Sequence, residues 1–174
     1  MMDGTRRSFD LEAIRADFPI LSREVHGKPL VYLDSAASAQ KPAQVLDALM
    51  SAYQDTYANV HRGLHFLSEA STDLYEAVRG KVAGFIGAAS GDEIVLTSGA
   101  TMSLNLIARC WAQPRLQPGD EILISIAEHH ANIVPWQMVA EVTGARVRAF
   151  TLEDDGAFSM ARLKAEMSDR TRII

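Results

Sequence analysis

The sequence predicts an α/β protein built on a mostly parallel sheet with helices on both faces. Apolar, strand-like runs at residues 93–97, 121–126 and 145–150 alternate with helix-like segments at residues 101–112 and 132–142. The first two runs end in short turns that open directly into a helix. This alternation is typical of parallel strands joined by right-handed crossovers.

The elements that come before this region are predicted from caps and apolar runs. Residues 10–17 are predicted as a short helix because Asp10 can cap the first turn and Pro19 stops the last. Residues 30–33 are an apolar run that predicts a short strand. A helix is then predicted from Pro42 to about residue 57.

Periodicity and turn residues predict the remaining elements. Residues 61–66 are predicted as a loop because Gly63 interrupts them, and residues 68–85 carry apolar side chains at helical spacing. Residues 154–156 are predicted as a turn, and residues 159–167 as a final helix.

Composition and charge exclude several classes of protein. The 174 residues are 48% hydrophobic with a net charge of −5, and the basic residues are scattered. This pattern offers no footprint for nucleic acid or for an anionic membrane surface. The single cysteine, Cys110, cannot form an internal disulfide and is predicted to be a small core residue. We expect a cytoplasmic protein with neither a nucleic-acid partner nor a membrane partner.

Two strand-to-helix turns are the candidate binding site. Ser98-Gly99-Ala100-Thr101 offers small residues and free N–H groups at the start of a helix, which favours a phosphate. The stretch EHHANIVPW at residues 128–136 places His129 beyond the carboxyl end of a strand, where ligands bind in open α/β sheets. Asn132 is predicted to cap the helix that follows. Neither nucleotide fingerprint, G-x-G-x-x-G or G-x-x-x-x-G-K-[ST], occurs, so a flat phosphorylated cofactor is favoured.

Alternative roles remain open for these residues. From its position alone, His129 either faces a ligand or binds a loop carbonyl, and Thr101 either contacts phosphate or is an ordinary N-cap. His130 is predicted to be a structural hydrogen-bonding group. His61 and His65 have the i, i+4 spacing of metal ligands, but Gly63 between them argues against a helix, so no metal site is expected.

Four motifs resemble one known family in order and spacing. They are Leu33-Asp34-Ser35-Ala36-Ala37-Ser38-Ala39-Gln40-Lys41-Pro42, Val60-His61-Arg62-Gly63, Thr97-Ser98-Gly99-Ala100-Thr101, and the EHHANIVPW stretch. Together they are similar to the class V aminotransferase-like enzymes, and within that class to the cysteine desulfurases of the SufS/CsdA type. The resemblance runs from about residue 9 to residue 174.

The resemblance implies pyridoxal 5′-phosphate (PLP) chemistry on the fold type I scaffold of PLP-dependent transferases, usually in a homodimer. It implies that His129 stacks on the pyridine ring, and that Ala100 and Thr101 hold the phosphate. It also implies that Ala36 and Ala37 line the substrate pocket. His61 and Arg62 are expected near the cofactor or the dimer partner.

Some expectations concern what the chain does not contain. In the family, the Schiff-base lysine, the aspartate that pairs with the pyridine nitrogen, the persulfide cysteine and the substrate-binding arginine lie further along the chain. The apolar end Ile173-Ile174 reads as the start of another strand, so we expect a C-terminally truncated chain that is inactive alone. The expected organisation is an N-terminal segment with a short helix at residues 1–27, followed by a partial PLP-binding large domain at residues 28–174. Met102 replaces an acidic residue common in relatives, with no predicted effect.

The predicted function is therefore that of a cysteine desulfurase. Such an enzyme converts L-cysteine to L-alanine and an enzyme persulfide, and passes the sulfur to an acceptor protein for iron–sulfur clusters. One alternative is a selenocysteine lyase or another class V aminotransferase-like enzyme. Another is a non-catalytic half of a split protein.

Overall fold

A computed structural model of the chain describes residues 9–174. Contacts divide it into two units, the first ending at Ile94 and the second comprising Val95–Ile174. The predicted boundary after residue 27 stays a prediction, and residues 1–8 of that segment lie outside the described part.

The first unit is mainly helical. Its elements, in order, are α1 (Leu11–Ala16), the antiparallel pair β1 (Glu24–Val25) and β2 (Lys28–Pro29), α2 (Ala43–Ser51) and α3 (Phe66–Ile86). The predicted cap of α1 is confirmed, since the carboxylate of Asp10 accepts the N–H of Ala13 at 3.0 Å. A π-helical turn, Ala52–Thr56, continues α2, so the predicted helix to about residue 57 is also confirmed.

Two strands predicted from apolar runs are wrong. Residues 30–33 and 93–97 have no strand partner within residues 9–174. Val31 and Leu33 are 76% and 92% exposed, and Val95 is 68% exposed. An apolar run predicts only that a segment prefers burial, whereas a strand also needs a neighbour that accepts and donates its backbone hydrogen bonds.

The second unit contains the predicted parallel sheet. Its elements, in order, are α4 (Ala100–Leu106), β3 (Glu121–Ser125), α5 (Val134–Thr143), β4 (Arg146–Phe150), α6 (Met160–Glu166) and β5 (Thr171–Ile173). The strand order is β4-β3-β5, and both pairs are parallel. The strand predicted to begin near the end of the chain is therefore confirmed as β5. The sheet agrees with the predicted fold class.

Side chains of β3 alternate between two apolar clusters. Ile122 faces the π-helical turn Ile107–Ala112, which continues α4, together with α5, while Leu123 faces the side covered by α6. Both residues are almost fully buried. Helices therefore cover both faces of the sheet, as expected for parallel strands.

The prediction that Cys110 is a core residue is wrong, because its side chain is exposed. Ala108 and Ala112 are the residues of the π-helical turn that are fully buried against the sheet side. Cys110 lies midway between them in sequence and therefore on another side of the turn. At about 100° of rotation per residue, residue 110 lies about 200° around the helix from Ala108, so its side chain is on the side away from the sheet.

Candidate functional site

The turn before α4 has the backbone of an anion cradle. Gly99 adopts φ 154° and ψ 177°, a conformation that is nearly restricted to glycine. The first backbone bond of the helix is from the N–H of Ser103 to the carbonyl of Gly99, at 3.1 Å. Within residues 9–174, the N–H groups of Ala100, Thr101 and Met102 and the Thr101 hydroxyl therefore have no hydrogen-bond acceptor. Three orphan donors at an exposed helix start favour an anion.

A hydroxyl pair holds this turn in shape. The hydroxyls of Thr97 and Ser103 are 2.7 Å apart, and both also lie within hydrogen-bonding distance of the Gly99 carbonyl, at 3.2 and 3.3 Å. The Gly99 carbonyl therefore points into the helix, and the N–H groups that follow point outward.

The second predicted turn lies beside the first. α4 packs against a 3-10 turn, His130–Asn132, that follows the carboxyl end of β3. The structure thus brings the phosphate-type turn and the histidine-bearing turn together, as the two strand-to-helix motifs predicted.

His129 is held at the start of that 3-10 turn. Its Nδ1 accepts the N–H of Ala131 at 3.1 Å, and its carbonyl accepts the N–H of Asn132 at 2.8 Å. Because a backbone N–H only donates, Nδ1 is unprotonated in this arrangement and the proton of the neutral ring lies on Nε2. The ring is exposed and meets the ring of His130 edge-on, with 6.3 Å between centroids.

The predicted roles of two neighbours need correction. Asn132 does not cap the following helix, because the 3-10 turn intervenes and α5 begins at Val134 without a side-chain cap. His130 was expected to make hydrogen bonds, but within the described part of the chain its ring makes none, and it meets the ring of His129 edge-on.

A chain of side-chain hydrogen bonds, not predicted from the sequence, anchors this loop. Ser125 donates to Oε1 of Glu128 at 2.6 Å, Asn132 donates to Oε2 at 2.8 Å, and Trp136 donates from its indole to Asn132 at 2.8 Å. We call these four residues the Glu128 network. The signal available in the sequence was the i, i+4 spacing of residues 128, 132 and 136, together with the serine that follows the apolar residues 122–124 of the strand.

The network keeps Glu128 ionised. The hydrogen bonds from Ser125 and then from Asn132 lower the pKa of the Glu128 carboxyl below its ordinary value, against the opposing effect of partial burial. Ser125 and Trp136 are themselves buried. A charged carboxylate is therefore held at the base of the histidine-bearing turn.

Ala36 and Ala37 lie in the first unit, in a tight turn. The N–H groups of Ala37 and Ser38 both bond to the carbonyl of Asp34, and the Tyr32 hydroxyl binds the carbonyls of Asp34 and Ser38. Both alanines are exposed on this turn. Their small side chains leave the outer side of the turn open.

His61 and Arg62 lie on a loop that is fastened to α3. His61 has a positive φ of 67°, its N–H donates to the hydroxyl of Thr72 at 2.9 Å, and its Nε2 lies 2.8 Å from Glu76. Ser68, one turn earlier on α3, donates to the carbonyl of Asn59. Three α3 side chains spaced four residues apart thus hold the loop.

The contact between His61 and Glu76 affects the acidity of that carboxyl. The bond to His61, and then the Arg79 guanidinium, lower the pKa of Glu76 below its ordinary value. Arg62 is exposed, with no ion pair or hydrogen bond to any residue from 9 to 174. His61 is therefore bound to α3, whereas the Arg62 guanidinium, unpaired within the described part of the chain, is free to contact a ligand.

Metal and membrane signals are absent from the described residues. No three His, Cys, Asp or Glu side chains between residues 9 and 174 gather as a metal would require. None of the helices over the same residues combines the length and apolar character needed to cross a membrane.

Known proteins are similar to this chain in sequence and in fold. The profile of the family described as Aminotransferase class-V matches residues 31–174. A cysteine desulfurase of Pectobacterium atrosepticum is 52% identical over 167 residues, which are 96% of this chain and 41% of that protein.

Solved structures of cysteine desulfurases also match this fold. The cysteine desulfurase CsdA of Escherichia coli, in its S-sulfonic acid form, matches with a TM-score of 0.78 and 43% identity, covering 95% of this chain and 40% of that one. The apo cysteine desulfurase of Thermococcus onnurineus matches with a TM-score of 0.78 and 35% identity, covering 90% of this chain and 37% of that one.

The chain spans about two-fifths of the length of the relatives it matches. Its fold is that of the N-terminal part of these type I enzymes, as the sequence motifs predicted. On the profile match and the shared fold, the chain belongs to the class V aminotransferase family.

Proposed function

We propose that the protein is a PLP-dependent cysteine desulfurase, in which these residues hold and orient the cofactor. The observation that carries this proposal is the anion cradle at Gly99–Met102 lying beside the turn that bears His129. The relatives at about 50% identity are cysteine desulfurases, which supports the choice of reaction.

The residues present fit a phosphorylated aromatic cofactor. Three outward N–H groups at Ala100, Thr101 and Met102, with the Thr101 hydroxyl, match the acceptor oxygens of a phosphate. The positive end of the helix dipole adds attraction for the dianion. The exposed ring of His129, held by its Nδ1, offers a flat face for the pyridine. When bound, PLP supplies an electron sink that weakens bonds at the substrate Cα.

Each residue of the candidate site then has one role. Ala100 and Thr101 hold the phosphate, and His129 sets the angle of the ring. The Nε2–H of His129 has no acceptor among residues 9–174 and is available to donate a proton to a bound group. The net reaction is L-cysteine and a thiol giving L-alanine and a persulfide, which balances without an added oxidant.

The remaining parts of the proposal concern partners. L-cysteine is the substrate, a protein accepts the sulfur for iron–sulfur cluster assembly, and two copies form a homodimer in the cytoplasm. Ala36 and Ala37, with the small turn they occupy, would line the substrate pocket. Arg62, which is exposed and unpaired among the described residues, would serve the pocket or the dimer contact.

Cofactor binding tests the site directly. The protein expressed from its whole reading frame is titrated with PLP and with pyridoxal, which lacks the phosphate. Thr101→Val keeps the side-chain shape and removes the hydroxyl. It should weaken PLP binding by roughly ten- to a hundredfold, the value of about one hydrogen bond to a charged group, and leave pyridoxal binding unchanged. Equal loss for both compounds would refute the phosphate assignment.

An activity assay tests the proposed reaction and the role of His129. The PLP-loaded protein is supplied with L-cysteine, and alanine and sulfide are measured. His129→Ala should lower turnover more than it lowers cofactor content, and His130→Ala is the matched control that should do less. Greater damage from His130→Ala would overturn the assignment of His129. If the PLP-loaded wild-type protein produces no alanine, the assignment as a desulfurase is refuted.

A further inference from the structure

Glu128, Asn132 and Trp136 lie around the segment that carries His129. Glu128 directly precedes that segment, and Asn132 is the last residue of its 3-10 turn. The bond from the Asn132 side chain to Glu128, at 2.8 Å, therefore joins the two ends of the loop that carries His129.

The direction of the Asn132 amide is determined by its partners. An indole N–H only donates, so the Asn132 atom that faces Trp136 must be the oxygen, and the amide nitrogen must face Glu128. Glu128 in turn only accepts as a carboxylate, and it receives both Ser125 and Asn132. The direction of the hydrogen bonds that Asn132 makes to Glu128 and to Trp136 is therefore fixed.

The same asparagine also holds His129 through its backbone. The N–H of Asn132 donates to the His129 carbonyl at 2.8 Å, while the N–H of Ala131 donates to Nδ1 of the ring. Rotation of the Asn132 side chain away from Glu128 would release the base of the turn, and with it the bond that sets the ring.

We infer that Glu128, Asn132 and Trp136 are positioning residues, which hold the His129 ring in one orientation by fixing the direction of the Asn132 amide. The anchors at both ends are buried: Ser125 is 8% exposed on β3, and Trp136 is 6% exposed on α5. The orientation of the ring is thereby tied to the sheet and to the helix, instead of to a free loop. The catalytic meaning of this orientation rests on the proposed function.

Four substitutions distinguish the positioning role of the Glu128 network from a general effect on stability. Asn132→Asp places a carboxylate against Glu128 in place of a donor, and Trp136→Phe keeps an aromatic ring in the core while removing the indole N–H. Glu128→Gln conserves both bonds, because its oxygen can accept from Asn132 and its amide can donate to the Ser125 hydroxyl. Trp111→Phe is the matched control, since Trp111 is 51% exposed and its indole nitrogen has no partner among residues 9–174.

The readout is amide hydrogen exchange in the protein without cofactor. Asn132→Asp and Trp136→Phe should speed exchange of the Ala131 N–H by roughly fivefold or more, the loss expected for about one ordinary hydrogen bond. Glu128→Gln and Trp111→Phe should leave it within about twofold. Exchange at Leu123, in the middle of β3, is measured in each variant to correct for global unfolding. Unchanged Ala131 exchange in both disrupting variants, or equal acceleration in Trp111→Phe, would overturn the inference.

The PLP-loaded protein supplies a second readout. The visible circular dichroism of bound PLP reports the orientation of its ring, and it should change in Asn132→Asp and stay like that of the wild-type protein in Glu128→Gln. If the variants show the expected exchange pattern but the wild-type protein binds no PLP, the proposed function fails and the positioning role stands. If PLP binds and its dichroism is unchanged in Asn132→Asp, the positioning role fails and the proposed function stands.

Discussion

Gly63 is the position at which a single methyl group should be most damaging to the loop that carries His61 and Arg62. A Cβ at residue 63 would lie 2.3 Å from Oγ and 2.4 Å from Cβ of Ser68. Both distances are far below any tolerated contact, so Gly63→Ala forces the loop away from α3.

The cost follows from what Ser68 does. Ser68 is 1% exposed, and its hydroxyl accepts the N–H of Gly63 at 3.0 Å and donates to the carbonyl of Asn59 at 2.6 Å. Moving the loop loses both bonds, at about 1 kcal/mol each, and leaves a buried hydroxyl unsatisfied, at up to about 2 kcal/mol. We expect a loss of about 2–4 kcal/mol in the free energy of unfolding.

Urea unfolding followed by circular dichroism measures this change. The matched control is Gly84→Ala on α3, where an added Cβ meets no atom within 4 Å. That variant should be more stable than the parent by about 0.5–1 kcal/mol, since alanine favours a helix over glycine. The two Gly→Ala changes should therefore have opposite signs. A Gly63→Ala variant as stable as the parent would refute the reasoning.

Three further predictions concern the second unit. Gly99→Ala should lower stability by about 1–3 kcal/mol, because alanine rarely adopts this backbone conformation, and should weaken binding of inorganic phosphate measured by calorimetry. Ile122→Ala should cost about 2–5 kcal/mol in urea unfolding, since Ile122 is fully buried; Val142→Ala, 70% exposed, should stay within about 0.5 kcal/mol. The lowered pKa of Glu128 contributes stability above its ordinary value of 4.5, which is lost as pH falls through the lower folded pKa. Glu128→Gln should flatten that part of the acid-unfolding curve, and an unchanged curve would contradict it.

Local rules predicted the elements whose signals lie within a few residues. The cap at Asp10, the helix over residues 68–85 and the strand at residues 121–126 depend on hydrogen bonds or periodicity that neighbours in sequence create. The structure places α1, α3 and β3 there. Small residues at 98–101 likewise predicted an anion cradle, because glycine at residue 99 permits a backbone that other residues rarely adopt.

Local rules failed where a partner was needed. Residues 30–33 and 93–97 are apolar enough for strands, yet a strand exists only when another segment pairs with it. Cys110 was misplaced because its residue type favours burial, whereas Ala108 and Ala112 occupy the buried side of the helix and residue 110 lies on the other side.

The sequence by itself determined the family, the parallel α/β arrangement and the two turns that form the candidate site, because each depends on motif order and short-range geometry. Only the tertiary structure decided how His129 is held. The Glu128 network joins the end of β3 to α5, and a hydrogen bond depends on the direction of each donor and acceptor. Spacing in the sequence brings such groups within reach, but only the folded backbone sets their direction.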